Sequence, residues 1–417
     1  MYGAYFISMS SMSCILEFHH RLLISSADIA VMRLIKSTAF VILVIAQLAA
    51  TLSGSQHCHF PAVFNFGDSN SDTGGLSAAF GAAQSPNGET FFGKPSGRYC
   101  DGRLVIDFIA ESVGIPHLNA YLDSIGVNFS HGVNFATAGS TILVQNTTLF
   151  QSGFSPFSLD VQLLQFSQFK SRSISLSNQG TIFSELMPKD GDIFKNALYT
   201  FDIGQNDITS GLFRNMSFDQ VKQTIPYIIQ RFVSLIKNVY SEGGRTFWIH
   251  NTGPVGCLPY ILRRFPNPAS DEVDRFGCLI PPNRLCQFFN FKLQDAFYRL
   301  REDLPLATFT YVDVFSIKYL LIGQSSSKKN TVSSFFDPLK ACCGRSKKYG
   351  CGSKMKVNGK EILIGKSCKH PNKRVNWDGV HYTEAANRWV FDKISTGAFS
   401  NPPRFLDNSC KTSESLL

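Results

Sequence analysis

Charge is scarce in this chain: 17% of its 417 residues are Asp, Glu, Lys or Arg, while 44% are hydrophobic. That balance excludes an intrinsically disordered protein, which buries too little apolar surface to fold. A linker rich in Gly, Ser or Pro is missing, and so is any internal repeat. One domain with insertions is therefore expected rather than two. Beyond the N-terminal region no apolar run approaches the roughly 20 residues of a spanning helix, so no stable membrane span is expected there. The net charge of +9 is spread along the chain. Its densest basic stretch, 345–374, is interleaved with Cys and Gly and carries no nucleic-acid motif, so nucleic acid is not an expected partner. A positive surface suits acidic polysaccharide or an anionic surface instead. Paired C-x-x-C spacing is absent around Cys342–Cys368, which argues against zinc despite His370 nearby.

The N-terminus reads as a targeting segment. Arg33 and Lys36 precede an apolar run from Ala39 to Ala50, and small residues follow at Ser53, Gly54 and Ser55. This is the order of a secretory signal, placed at 32–55. Residues 1–31 fit no signal design, and Met32 is the expected start. Of the 11 cysteines, Cys14 falls in that first stretch; the other ten, an even number in an exported chain, suggest disulfides of open connectivity. Asn128, Asn146 and Asn215 each begin an N-x-S/T sequon and are glycosylation candidates.

From residue 56 onward, short apolar runs alternate with amphipathic stretches. Strands are expected at 61–66, 127–135, 197–203, 245–249 and 308–314. Helices are expected at 103–113, 160–169, 219–240 and 283–301, with a last one after Tyr382. In the 219–240 stretch Val221, Ile225, Ile228, Ile229, Phe232, Ile236 and Val239 share one face. Pro226 there predicts a kink or a later start. The alternation implies an α/β fold with a parallel sheet covered on both faces. Residues 145–190, polar and Ser-rich, and 325–374, with the cysteine cluster, read as insertions.

The chemistry lies at the ends of the expected strands. Ser69, in Gly67-Asp68-Ser69, follows the first. Gly139 follows the second, where the absence of a side chain lets a backbone N–H approach a ligand. Asn206 follows the third and carries a side-chain amide. Asp378 and His381 stand three residues apart, a spacing that places both on one face of a turn. A serine hydroxyl needs a base to take its proton, the base needs an orienting carboxylate, and the tetrahedral intermediate needs donors aimed at its oxyanion. Alone, Ser69 reads as a turn residue. His131 and His250 also lie near strand ends and receive structural or substrate-lining roles. Asp72 and Asp207 read as loop hydrogen-bond acceptors rather than as a glycosidase pair.

Four blocks carry a resemblance: Phe64-Asn-Phe-Gly-Asp-Ser-Asn-Ser-Asp-Thr-Gly74, Gly132-Val-Asn-Phe-Ala-Thr-Ala-Gly139, Phe201-Asp-Ile-Gly-Gln-Asn-Asp207 and Asn376-Trp-Asp-Gly-Val-His381. In this order they resemble the GDSL esterase/lipase family, the SGNH hydrolases. Asn251-Thr-Gly-Pro-Val-Gly-Cys257 and Ala341-Cys-Cys-Gly344 are similar to its plant, early-nodulin-like branch. The resemblance implies a three-layer α/β/α sandwich, flavodoxin-like, with a five-stranded parallel sheet. It implies Ser69 as nucleophile, His381 as base and then acid, Asp378 as its orienter, and an oxyanion hole from the Ser69 N–H, the Gly139 N–H and Asn206. It implies no metal or organic cofactor. The G-x-S-x-G elbow of α/β-hydrolases is absent. The expected function is a secreted serine esterase of the cell wall or apoplast, acting on an acetylated cell-wall sugar, a phenolic ester or a lipid. Transfer of the acyl group to an alcohol, and a non-catalytic carbohydrate- or lipid-binding glycoprotein, are the competing expectations.

Overall fold

The computed structural model describes residues 59–81, 83–180, 182–326, 335–344 and 350–406. The expected signal at 32–55, the first stretch, Cys58 and Cys410 lie outside the described residues. Chain order runs β1 (Val63–Gly67), α1 (Gly75–Phe80), α2 (Val105–Ser112), β2 (Gly132–Asn134), α3 (Leu149–Ser152), α4 (Leu159–Asn178), α5 (Gly191–Asn196), β3 (Leu198–Asp202), α6 (Gln205–Phe213), α7 (Phe218–Ser241), β4 (Thr246–His250), α8 (Pro259–Arg264), α9 (Ile280–Asp303), β5 (Thr308–Val312), α10 (Val314–Ser326), β6 (Lys354–Val357), β7 (Lys360–Leu363), α11 (Glu384–Ile394) and β8 (Ser400–Asn401).

The central sheet has strand order β2-β1-β3-β4-β5-β8. Its first five strands are parallel, as expected; a sixth, the two-residue β8, pairs antiparallel with β5 through Tyr311↔Asn401 and Val312↔Ser400. So short a strand carries too little pattern to be seen in sequence. The sheet is buried on both faces because side chains alternate along each strand. Phe64, Phe66, Tyr199, Phe201, Phe247, Ile249, Phe309 and Tyr311 point to one face, where they meet α4, α7 and α9. There Phe66 stacks between Phe135 at 5.2 Å and Phe201 at 4.9 Å, with Phe166 edge-on at 5.7 Å. Removing one such ring leaves a cavity costing about 3–5 kcal/mol. Val63, Leu198, Trp248 and Val312 point to the other face, against α2, α10 and α11.

That second face also holds a polar ladder. Thr200 donates to Asn65 Oδ1 at 2.7 Å, and Asn65 donates to Asn134 Oδ1 at 2.8 Å. Asn134 in turn donates to the Ser71 carbonyl at 2.6 Å and to Thr73 Oγ1 at 2.9 Å. The loop after β1 is thus anchored to β2 by buried, satisfied amides.

The helix α7 starts at Phe218 and continues past Pro226, so the later start does not occur; a Ser217–Gln220 capping box opens it. Residues 145–190 hold α3 and α4, and α4 extends well past the expected 160–169. In 325–374 the described part contains the β6–β7 hairpin and two disulfides, Cys342–Cys368 and Cys343–Cys351; a third joins Cys257 to Cys278. Cys100 and Cys286 are buried thiols outside these pairs.

Candidate active site

The C-terminal ends of the parallel strands set the site, as in other open α/β sheets. β1 ends in Gly67 because a side chain there would lie 2.4 Å from the Asp202 carbonyl. The close approach lets Asp68 N–H donate to that carbonyl at 3.0 Å, and the chain then turns, placing Ser69 in the pocket lining. Asp72 holds the turn: its carboxylate accepts from the N–H groups of Gly74, Gly75 and Leu76, and from Ala138 N–H at 2.7 Å on the next loop. Asp207 does the same on the other side, accepting from Ile142 and Leu143 N–H at 2.9 and 3.1 Å. Both are loop acceptors, as their positions suggested.

Gly139 lies between these two anchors with φ of +81°, a conformation that favours glycine. Neither its N–H nor that of Ser69 is committed to another hydrogen bond among the described residues. Asn206 sits in the first turn of α6, where its Nδ2 donates to the Ser140 carbonyl at 2.9 Å and to Asp68 Oδ2 at 3.4 Å. Ser69, Gly139, Asn206 and His381 line one pocket of about 300 Å³, together with Tyr99, Phe154, Phe213 and Tyr260. Phe154 comes to that lining from the 145–190 insertion, which also carries Phe150 and Phe157. Phe150 is 89% exposed, and Phe157 packs on Phe80 at 6.0 Å.

His381 arrives from the far end of the chain. Its Nδ1 lies 2.6 Å from Asp378 Oδ2, and Asp378 Oδ1 accepts from the N–H groups of Val380 and His381 at 2.9 Å each. Burial opposes the charge on Asp378, but His381 and these hydrogen bonds outweigh it and hold the carboxyl below its ordinary range. Burial likewise lowers the His381 pKa, yet Asp378 and then Asp68 overcome it, and the net shift is upward from 6.5. His381 Nε2 is buried and has no hydrogen-bond partner among the described residues, Ser69 included. Catalytic contacts of this kind commonly tighten only when substrate fills the pocket.

The loop bearing this pair is clamped from behind. Cys342 N–H donates to the Asn376 carbonyl at 3.0 Å and Cys343 N–H to the Trp377 carbonyl at 2.6 Å, so two disulfides brace the segment before Asp378. Trp377 is fully buried against them and donates through Nε1 to Asn87 at 2.9 Å. Thr383 then caps α11, accepting from Ala386 N–H.

Comparison with known proteins shows the family of this chain. The family model for GDSL-like lipase/acylhydrolase matches residues 63–394. The chain belongs to the GDSL lipase/acylhydrolase family. It is 55% identical over 362 residues to a GDSL esterase/lipase of Arabidopsis thaliana, an alignment covering 85% of this chain and 93% of that protein. The GDSL esterase/lipase ENOD8 of Medicago truncatula is 46% identical over 92% of this chain and 98% of its own length. An Arabidopsis protein named alpha-L-fucosidase 3 is 56% identical over 84% of this chain and 95% of its own. This GDSL protein is a carboxylic ester hydrolase with a three-layer α/β fold.

Two further residues were missed by reading the sequence. Asp202, at the end of β3, receives the Nδ1 of His250, at the end of β4, at 3.2 Å; His250 is buried, Asp202 is partly buried, and neither lines the pocket. Lys318 of α10 is only 5% exposed and packs its stem near Gly253 and its ammonium 4.7 Å from the Tyr382 ring centre. His131 is structural, its Nδ1 at 3.2 Å from the Pro61 carbonyl.

Proposed function

We propose that this GDSL hydrolase works through an acyl-enzyme on Ser69. The observation that carries the reading is that Ser69, Gly139, Asn206 and His381 come from four separate segments of the chain to one pocket, with Asp378 aligned on His381. Ser69 Oγ attacks the ester carbonyl as His381 Nε2 takes its proton, and the carbonyl π electrons move to oxygen. The Ser69 and Gly139 N–H groups and Asn206 Nδ2 bind that oxyanion. Collapse re-forms the carbonyl, expels the alkoxide and passes it the His381 proton. Water then attacks the acyl-enzyme with His381 again as base, releasing the carboxylic acid and restoring Ser69. Asp378 fixes the ring so that Nε2 faces the serine. No step requires a metal or an organic cofactor.

Secretion fits the same reading: the order of residues at 32–55 is that of a signal, three disulfides form among the described residues, and none of the described helices is long and apolar enough to span a membrane. The sequons at Asn128, Asn146 and Asn215 are all on exposed residues, which suits glycosylation in that pathway. The substrate is an ester of a cell-wall sugar, a phenolic or a lipid. Glycosidase chemistry lacks support, because Asp378 is committed to His381 and Asp72 and Asp207 to backbone N–H groups. Ser69→Ala is the test. The folded variant should neither hydrolyse phenyl acetate above background nor label with a fluorophosphonate; retained turnover would remove Ser69 from the mechanism.

A further inference from the structure

Behind Ser69 lies a second group of ionisable residues that the mechanism above does not use. Asp68, Asp202 and His250 stand at the C-terminal ends of β1, β3 and β4, strands that neighbour one another in the sheet. Asp68 and Asp202 are joined by the backbone bond from Asp68 N–H, and Asp202 by its carboxylate to His250. Lys318 of α10, buried with its stem against Gly253 and its ammonium over Tyr382, supplies a positive charge that acts on both carboxylates. Asp68 is fully buried, with one oxygen held by the N–H and the side-chain amide of Asn70 at 2.9 Å each. Its other oxygen faces Asn206 Nδ2. That amide has two hydrogens: one goes to the Ser140 carbonyl, and the other is directed at Asp68. An oxyanion that binds Asn206 must take the hydrogen now aimed at Asp68.

We propose that Asp68 is a positioning residue that competes with the oxyanion for the Asn206 amide, and that the Asp202–His250 pair with Lys318 sets whether Asp68 carries a charge. The proposal rests on the reading of Asn206 as an oxyanion donor. An ionised Asp68 draws the amide hydrogen to itself and repels the developing negative charge in a site of low dielectric. A protonated Asp68 does neither. The groups facing Asp68 are Asp202 from β3, with His250 behind it on β4, Lys318 from α10, Tyr260 from α8, and His381 with its Asp378 partner from the loop before α11. Burial first and Asp202 second push the Asp68 carboxyl up to about 7, against the hydrogen bonds from Asn70 and the pull of His381. Burial lowers the Lys318 pKa, while Asp202 and Asp68 act to keep the ammonium charged.

Two ionisations then bound the activity. His381 must lose its proton to act as base, and Asp68 must keep its own. The profile of kcat/KM against pH is bell-shaped, with limbs that belong to the coupled set. The experiment measures that profile for phenyl acetate hydrolysis by the full chain and four variants. Asp68→Asn keeps the ascending limb and loses the descending one. Asp202→Asn removes the charge that raises Asp68, so the descending limb moves to lower pH by about one unit, the scale of a close charge. Lys318→Met removes a charge that favours ionised Asp68, so the limb moves to higher pH, by less than it moves in Asp202→Asn. Lys318→Arg, permanently charged, leaves it in place. A descending limb that survives in Asp68→Asn overturns the proposal. So do shifts of one sign in Asp202→Asn and Lys318→Met. If Asp68→Asn does not fold, an unmoved limb in Lys318→Met overturns it alone. Asn206→Ala at full activity sinks the oxyanion reading itself; a low-activity Asn206→Ala beside an unchanged Asp68→Asn profile sinks only the role of Asp68.

Discussion

The fold holds two partly buried Asp–His pairs, and they are built in opposite ways. Asp378 and His381 share one turn, separated by three residues and joined at 2.6 Å. Their partners are backbone N–H groups of that same turn. His381 lines the pocket, and its Nε2 has no hydrogen-bond partner among the described residues. Asp202 and His250 come from two strands, are 48 positions apart, and meet at 3.2 Å with no opening to the pocket. The first pair can exchange a proton with substrate; the second can act only by its charge. An Asp–His contact is therefore insufficient to mark a base. The free nitrogen has to face the reacting atoms.

The largest effect that would separate the pairs is loss of the ring. His381→Ala should lower kcat by about six orders of magnitude, the scale seen when a base acting as one unit with its nucleophile is removed. His250→Ala should stay within roughly tenfold, since it removes one buried hydrogen bond and no reacting group. Comparable losses in the two variants, from kinetics on folded protein, would erase the distinction. The carboxylates should follow with a smaller gap. Asp378→Asn presents the wrong tautomer and should cost about 10⁴ in kcat. Asp202→Asn should keep its activity within roughly tenfold at its own pH optimum, because the backbone carbonyl that receives Asp68 N–H is retained.

A third contrast concerns what holds each pair. The Asp202–His250 pair is fixed by strand register, Phe201↔Ile249 and the neighbouring rungs. The Asp378–His381 turn relies on Trp377 and the cystines behind it. Replacing Cys342 and Cys368 together by Ser should cost about 2–4 kcal/mol in urea unfolding. It should also lower kcat several-fold while leaving KM nearly unchanged, because the turn that aims His381 loosens. Equal kcat with lowered stability would show that the cystine braces the fold but not the turn.

The same contrast explains what could be read from the chain. Asp378 and His381 are legible because a three-residue spacing is itself a geometric statement, and Ser69, Gly139 and Asn206 follow strands whose apolar runs are distinct. Asp202 and His250 carry no such signal. Asp202 sits inside a recognised block, and His250 ends a strand, but their meeting depends on β3 lying beside β4 in a given register. Lys318 is hidden for a different reason: α10 is apolar nearly all round, so no stripe marks its buried side. The polar residues 145–190 read as an insertion because α4 loses its apolar stripe after Phe169 yet continues to Asn178. The adjacent Cys342 and Cys343 give a further limit, since only folding decides that the first joins Cys368 and the second Cys351.

The smallest expected effect tests how the two pairs communicate. In the proposed mechanism His381 serves as base only when neutral, and its pKa is raised above 6.5 despite burial. Activity should therefore fall as pH drops through a value above 6.5, since protonation removes the base. Asp378 contributes most of the upward push and Asp68 a smaller part. Removing the Asp378 charge makes the imidazolium less favourable and moves the ascending limb to lower pH; Asp68 is ionised only toward the top of that limb, so Asp68→Asn moves it by less. Asp378→Asn should move it further than Asp68→Asn, and His250→Ala should leave it in place, because His250 is not among the groups acting on His381. A shift in His250→Ala as large as that in Asp68→Asn, read from kcat/KM between pH 5 and 8, would make the two pairs one titrating unit rather than a base and its distant electrostatic support.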